Sequence, residues 1–102
     1  MGEVTILYWR DIPAQVVAKA GRRSAKRVLD ERFEKAIDRA AMRAKLRDSD
    51  SYLAEWHRGE PEACGDDLEA VAEETARRLE EAYDSERLAA LVANGGLEPP
   101  AS

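Results

Sequence analysis

His57 and Cys64 are the only histidine and cysteine in a chain of 102 residues, and they lie seven apart across a link containing Gly59, Glu60 and Pro61. That link is short enough to bring them together as a thiolate–imidazole pair. A cysteine just ahead of a helix N-terminus can also have its pKa lowered into the reactive range. Glu62, Asp66 and Asp67 act in the opposite sense, because nearby negative charge favours the neutral thiol. We expect the plainer arrangement, a structural cysteine and a solvent-facing histidine. Adding two acids to the pair reproduces no standard zinc-ligand spacing, so no metal site is expected. The carboxylate pairs Glu73/Glu74 and Glu80/Glu81 are adjacent in sequence, do not converge on one helix face, and read as solvated surface. Glycine-rich phosphate loops, a nucleophile elbow and a dinucleotide fingerprint are all absent from the sequence. The expectation is a non-catalytic protein with no cofactor.

The densest group of recognition-type residues is Tyr8-Trp9-Arg10-Asp11-Ile12-Pro13, which holds two of only six aromatics. Tyr, Trp and Arg are the types enriched where protein interfaces concentrate their binding energy. A strand here sends one aromatic inward and its neighbour outward. One of Tyr8 and Trp9 is therefore expected on the surface with Arg10 and Asp11, as a partner-binding patch. Trp56, in the later segment Tyr52-Leu53-Ala54-Glu55-Trp56, carries the same two readings, core packing or partner binding. The alternative is that these aromatics fill the core and Arg10 and Asp11 form an ordinary turn pair.

A second candidate is a stripe of cations. Arg32, Lys35, Arg39 and Arg43 recur at steps of three, four and four, which aligns them along one side of a helix. Residues 1 to 47 carry a charge of +6 and residues 48 to 102 a charge of −11, so the net −5 conceals a charge dipole along the chain. Arg22, Arg23, Lys26 and Arg27 add further cations before that helix, where they oppose its macrodipole. Two explanations stand: an external anion held by the stripe, or an acidic helix over 66–83 lying antiparallel beside the basic one. Nucleic acid is not expected, because the acidic half would repel phosphate.

These groups need elements to position them. Glu3 to Arg10 is rich in β-branched and aromatic residues with period-2 sets Val4/Ile6/Tyr8 and Thr5/Leu7/Trp9, which predicts a strand. Pro13 punctuates it, and 14–19 resumes an extended pattern before Gly21, giving a β-hairpin. Ser24 is a candidate cap for a helix to about Arg47, with Leu29, Phe33, Ala36, Ile37, Ala40 and Ala44 on one face. A short helix is expected over Ser51 to Arg58, ended by Gly59. Asp66 and Glu69 have capping-box spacing ahead of a helix with Leu68, Val71, Ala72, Thr75 and Leu79 inward. Leu88, Leu91 and Val92 fall off its phase, so a break near Asp84-Ser85 and a last helix ending at Asn94-Gly95-Gly96 are expected.

The whole reads as α+β: an N-terminal β-hairpin packed on three to four α-helices, one domain over 1–96 with a disordered tail over 97–102. Of the 44% hydrophobic residues, 18 are Ala, so the core is thin, and a lone hairpin needs helices or another strand to be stable. No apolar run is long enough to span a membrane and the N-terminus lacks the pattern of a signal peptide, so a cytoplasmic location is expected.

Tyr8-Trp9-Arg10-Asp11-Ile12-Pro13-Ala14-Gln15-Val16, the run from Arg32 to Ala44, and Tyr52-Leu53-Ala54-Glu55-Trp56 together resemble a family of small bacterial proteins, the virulence factor domain, common in alphaproteobacteria. The resemblance covers residues 3 to 58 well and the remainder by helical character. It implies an accessory subunit near folate- and cobalamin-dependent methionine synthesis, and it supplies no catalytic residues. The expected function is thus a non-catalytic accessory protein that docks onto a cytoplasmic protein through Tyr8, Trp9, Arg10, Asp11 and Trp56. Self-association through the hairpin edge is a further expectation. The alternative is a module that binds a phosphate- or carboxylate-rich small molecule on Arg32, Lys35, Arg39 and Arg43.

Overall fold

A computed structural model describes residues 2–45 and 48–98. β1 (Gly2–Trp9) and β2 (Ile12–Ala20) form the expected hairpin, joined through Arg10 and Asp11. The register slips by one residue between Leu7 and Tyr8, leaving an extra residue on β2 beside Pro13. Such a bulge bends the strand and adds twist at the turn end.

The sheet is larger than a hairpin. Residues Arg23–Val28 form β3, antiparallel to β2 with Val17 opposite Lys26, where a helix starting at Ser24 was expected. The true helix, α1 (Glu31–Arg43), starts after Asp30. Of the residues of β3 only Val28 favours a strand. They are extended because Gly21, at φ +58, turns the chain back along β2, and because Ala25 then packs on the core. The short helix expected over Ser51 to Arg58 is divided: α2 is Ser49–Ala54, capped by the Asp48 side chain, and Trp56–Arg58 is β4. Glu62–Cys64 is β5. β4 and β5 both pair with β1, one beside each half of that strand. α3 (Leu68–Ala82) and α4 (Ser85–Ala93) follow, α3 capped by Asp67 rather than Asp66 and α4 capped by Asp84, at the expected break. Leu46 and Arg47, the expected end of the first long helix, lie outside the described residues.

Paired residues share a face of an antiparallel sheet. Val4, Ile6, Val16, Ala18, Ala20 and Ala25 join the core, and α3 covers this side by packing on β2, β3 and β1. On the opposite side α1 and α4 pack together over the turn end of the hairpin, burying Trp9 and Ile12. Among the described residues, no helix packs over the rest of that second face, with Thr5, Leu7, Val17 and Val28. Both edges of the first hairpin are occupied, and the outer edges of the sheet are β4 and β5 on one side and β3 on the other, where Arg23, Lys26 and Arg27 discourage edge-to-edge pairing. Among the described residues no helix is long and apolar enough to cross a membrane.

The chain after α4 closes the molecule. Gly95 donates to Val92 O and Gly96 to Leu91 O, the paired bonds of a Schellman C-cap, with both glycines at positive φ. Leu97 and Glu98, assigned to the tail by sequence, are held here: Asn94 Nδ2 donates to both carbonyls, and Glu98 N donates to Asp11 Oδ2 at 2.6 Å. Residues 99–102 lie outside the described residues. A Cβ on Gly96 would meet Trp9 Cζ3 at 2.7 Å, at φ +93, whereas one on Gly21 meets nothing within 4 Å. Gly96→Ala is therefore expected to cost about 3 kcal/mol, by overpacking and backbone strain together, and Gly21→Ala about 1 kcal/mol. Urea midpoints measure both, and equal shifts would contradict the packing of Gly96 on Trp9.

Candidate functional site

The aromatic and charged residues of the hairpin turn are gathered in one place, but they face inward more than the sequence suggests. Trp9 is 0% exposed. Its indole Nε1 donates to Tyr52 O at 3.0 Å, its ring lies 5.7 Å from that of Tyr52, and Gly96 seals its edge. Its place in the expected partner-binding patch is corrected on that ground: a ring enclosed by its own chain offers nothing to another.

Arg10 is the junction of the cluster. It adopts φ +53, a conformation that costs a non-glycine residue free energy. Several bonds hold it there. Its backbone N donates to Glu55 O, its Nη1 donates to Gly95 O at 2.9 Å, and its Nε lies 3.3 Å from Glu55 Oε2. The guanidinium stands 5.3 Å from the Trp9 ring centre. His57 Nε2 hydrogen bonds with Arg10 O. Asp11 donates through its amide to Gly96 O and accepts from Glu98 N. This turn therefore binds α2, β4 and the cap of α4, so Arg10 and Asp11 are committed within the chain.

Tyr8 and Trp56 remain half exposed. Tyr8 stacks on His57 with ring centres 5.5 Å apart and rests against Gly59. Burial pushes its phenol pKa up, and the charges of Glu62 and Asp11 add to that rise. Trp56 stands edge-on to Tyr52 and lines a groove of about 330 Å³ on the uncovered half of the sheet, with Leu7, Gln15, Val28 and Ile37. A helix starting at Ser24, as the sequence pattern predicts, leaves no room for this groove. Once β3 is a strand, the register puts Leu7, Gln15 and Val28 abreast.

His57 and Cys64 are kept apart. His57 pairs opposite Tyr8 and Cys64 opposite Gly2, six residues along β1 or about 20 Å. The link between them runs along the strand rather than folding back, and no thiolate–imidazole pair forms.

The cation stripe divides into three. Arg32 donates to Glu80 O and Tyr83 O, serving as a side-chain cap for the last carbonyls of α3, where a cation also complements the helix dipole. Lys35 pairs with Glu31 on its own helix at 3.0 Å. Arg39 and Arg43 are exposed and have no ion pair among the described residues. They and Arg32 form one wall of a groove of about 400 Å³ between α1 and α4, whose other lining is Ala36, Ser85, Leu88, Ala89, Val92 and Ala93. The acidic α3 is not laid along α1. It packs on the sheet and offers acids to β3 and its exit: Glu73 lies 3.9 Å from Arg27, and Glu80 accepts from Asp30 N at 2.9 Å.

The molecule is thus a small α+β domain with a closed turn cluster, an uncovered half-sheet and a cationic interhelical groove. A family model described as "Virulence factor" matches residues 7–92. The chain belongs to that family. No curated protein and no solved structure matches it.

Two outcomes follow from the site. Arg10→Ala should lower stability by about 2–3 kcal/mol, since it removes a nearly buried charge from Glu55 and the Gly95 carbonyl; a loss under about 0.5 kcal/mol would contradict its role. The second concerns alkali. Tyr8, Tyr52 and Tyr83 all have raised pKa values, chiefly through burial. A group whose folded pKa exceeds its unfolded value of 10.0 stabilises the fold below that pH, and the contribution is lost as pH rises through the folded value. Urea midpoints should fall above about pH 10, and fall less in Tyr83→Phe.

Proposed function

We propose that this protein is a non-catalytic accessory module that docks a partner protein on the uncovered half of its sheet, in the cytoplasm. One observation carries the reading: Leu7, Val17 and Val28 lie on a part of the sheet that no helix among the described residues packs over, and Val28 is 71% exposed. Met42, 79% exposed, is one turn from Asp38 on α1 and so continues the groove wall formed by Glu34 and Asp38. Exposed apolar area of this kind, ringed by polar groups, marks interaction surfaces. Glu34 and Asp38 line the α1 wall and Glu3 lies on β1, whereas the sheet positions Lys19, Lys26 and Arg58 share this face by register and are exposed. The partner surface they suit is apolar at its centre and acidic at its rim. The setting comes from the family resemblance: folate- and cobalamin-dependent methionine synthesis.

A second reading, a site for a phosphate- or carboxylate-rich small molecule, has support in the placing of Arg32, Arg39 and Arg43 along one groove. Lys35 is outside it.

A photo-crosslinking amino acid at position 28, in the protein expressed in its host, tests the docking face. The expected result is one dominant adduct with another protein, reduced at least fivefold by Lys19→Glu with Lys26→Glu. Position 73 on α3 should yield none. Equal adducts from both positions, or an adduct of twice the chain's own mass, would overturn the reading.

A further inference from the structure

The groove between α1 and α4 has a shape that a small anion does not need. Its basic wall is a helix edge. Arg32, Ala36, Arg39 and Arg43 follow at steps of four, three and four, so the cations extend over 11 residues, about 16 Å or three helical turns. Its opposite wall is a helix edge too: Ser85, Leu88, Ala89 and Val92 recur at helical steps on α4. The floor is apolar and small. Ala89 and Ala93, both exposed, let another backbone approach closely, Val92 stands half-buried beside them, and the nearly buried Ala36 and Leu88 form the bottom of the trough. Two packed helices with an apolar trough between them present the surface that a third helix fills in a bundle. Arg39 and Arg43, one turn apart and without ion pairs among the described residues, stand where the flanking charged positions of such a bundle stand.

We infer that this groove seats an amphipathic helix of about three turns from a partner protein, with an apolar ridge toward Leu88 and Val92 and acidic residues one turn apart facing Arg39 and Arg43. The inference rests on the docking reading only in calling the protein an interaction module, and it uses a different surface. Recognition follows the helix-in-groove mode, in which anchors at helical spacing give affinity and flanking charges set orientation. Charge complementarity selects the acidic occupant. Arg32 contributes little to selection, because its guanidinium already caps α3.

The test uses the full chain and a helix-stapled peptide of about 18 residues, with leucines at helical spacing and glutamates along one edge. Fluorescence anisotropy measures binding. The expected result is saturable binding, weakened at least tenfold by Arg39→Glu with Arg43→Glu and at least tenfold by Ala89→Trp, which fills the trough at an exposed position. A peptide with lysines in place of the glutamates should bind the charge-reversed variant better than it binds the natural chain. Glu74→Lys, on α3, should leave binding unchanged. A peptide of the same composition with scrambled order should not bind. Equal binding by the scrambled peptide, no binding by the ordered one, or complete displacement by millimolar inorganic phosphate would overturn the proposal, the last result favouring a small-anion site. Crosslinking at position 28 is independent of these substitutions, so failure at the groove and failure at the sheet face are read separately.

Discussion

The fold depends on one tight turn that does not relax. Arg10 and Asp11 join β1 to β2 with Arg10 held at positive φ, and the strain is offset by bonds to three separate parts of the chain. α2 is reached through Glu55, β4 through His57, and the end of α4 through Gly95, Gly96 and Glu98. Trp9 is enclosed as a result, and a protein with few large apolar residues obtains its largest fully buried side chain. A core in which, among the described residues, six of the sixteen buried hydrophobic residues are alanine derives part of its order from such polar fastening, because small side chains give little area to bury.

With the turn end closed, the positions of the open surfaces are determined. α1 and α4 are drawn over the hairpin tip, α3 takes the opposite face, and among the described residues no helix remains for the rest of the face that α1 and α4 share. The charge dipole is resolved in the same way. α3 places its acids against β3 and the start of α1, while Arg32 reaches back to α3's last carbonyls. On the α1 stripe the cations left over are Arg39 and Arg43, beyond the reach of α3.

Much of this was legible in the residues. The helical steps of Phe33, Ile37 and Ala40, of Leu68, Ala72 and Leu79, and of Leu88 and Leu91 marked three helices, and the phase change at Asp84-Ser85 separated the last two. β3, β4 and β5 were not legible. Arg23-Ser24-Ala25-Lys26-Arg27 contains helix formers and only Val28 favours a strand. β4 and β5 are three residues each and exist by pairing with β1, a long-range effect that no local pattern carries. The site residues were half legible for a related reason. The cluster Tyr8-Trp9-Arg10-Asp11 was visible as unusual chemistry, but whether it faces a partner or the chain's own C-terminus depends on Gly95 and Gly96, 85 residues away in the case of the Arg10 bond.

The claim that the turn fastens the structure is tested most directly by native-state hydrogen exchange. If the Arg10–Asp11 turn and the α4 cap form one fastened unit, the amides of Asp11 and Gly96, bonded to Gly96 O and Leu91 O, open only with the whole molecule. Their exchange free energies should then equal that of Val16 in the buried centre of β2. Exchange of Asp11 and Gly96 at least a hundredfold faster than Val16, as for a fraying loop, would contradict the account.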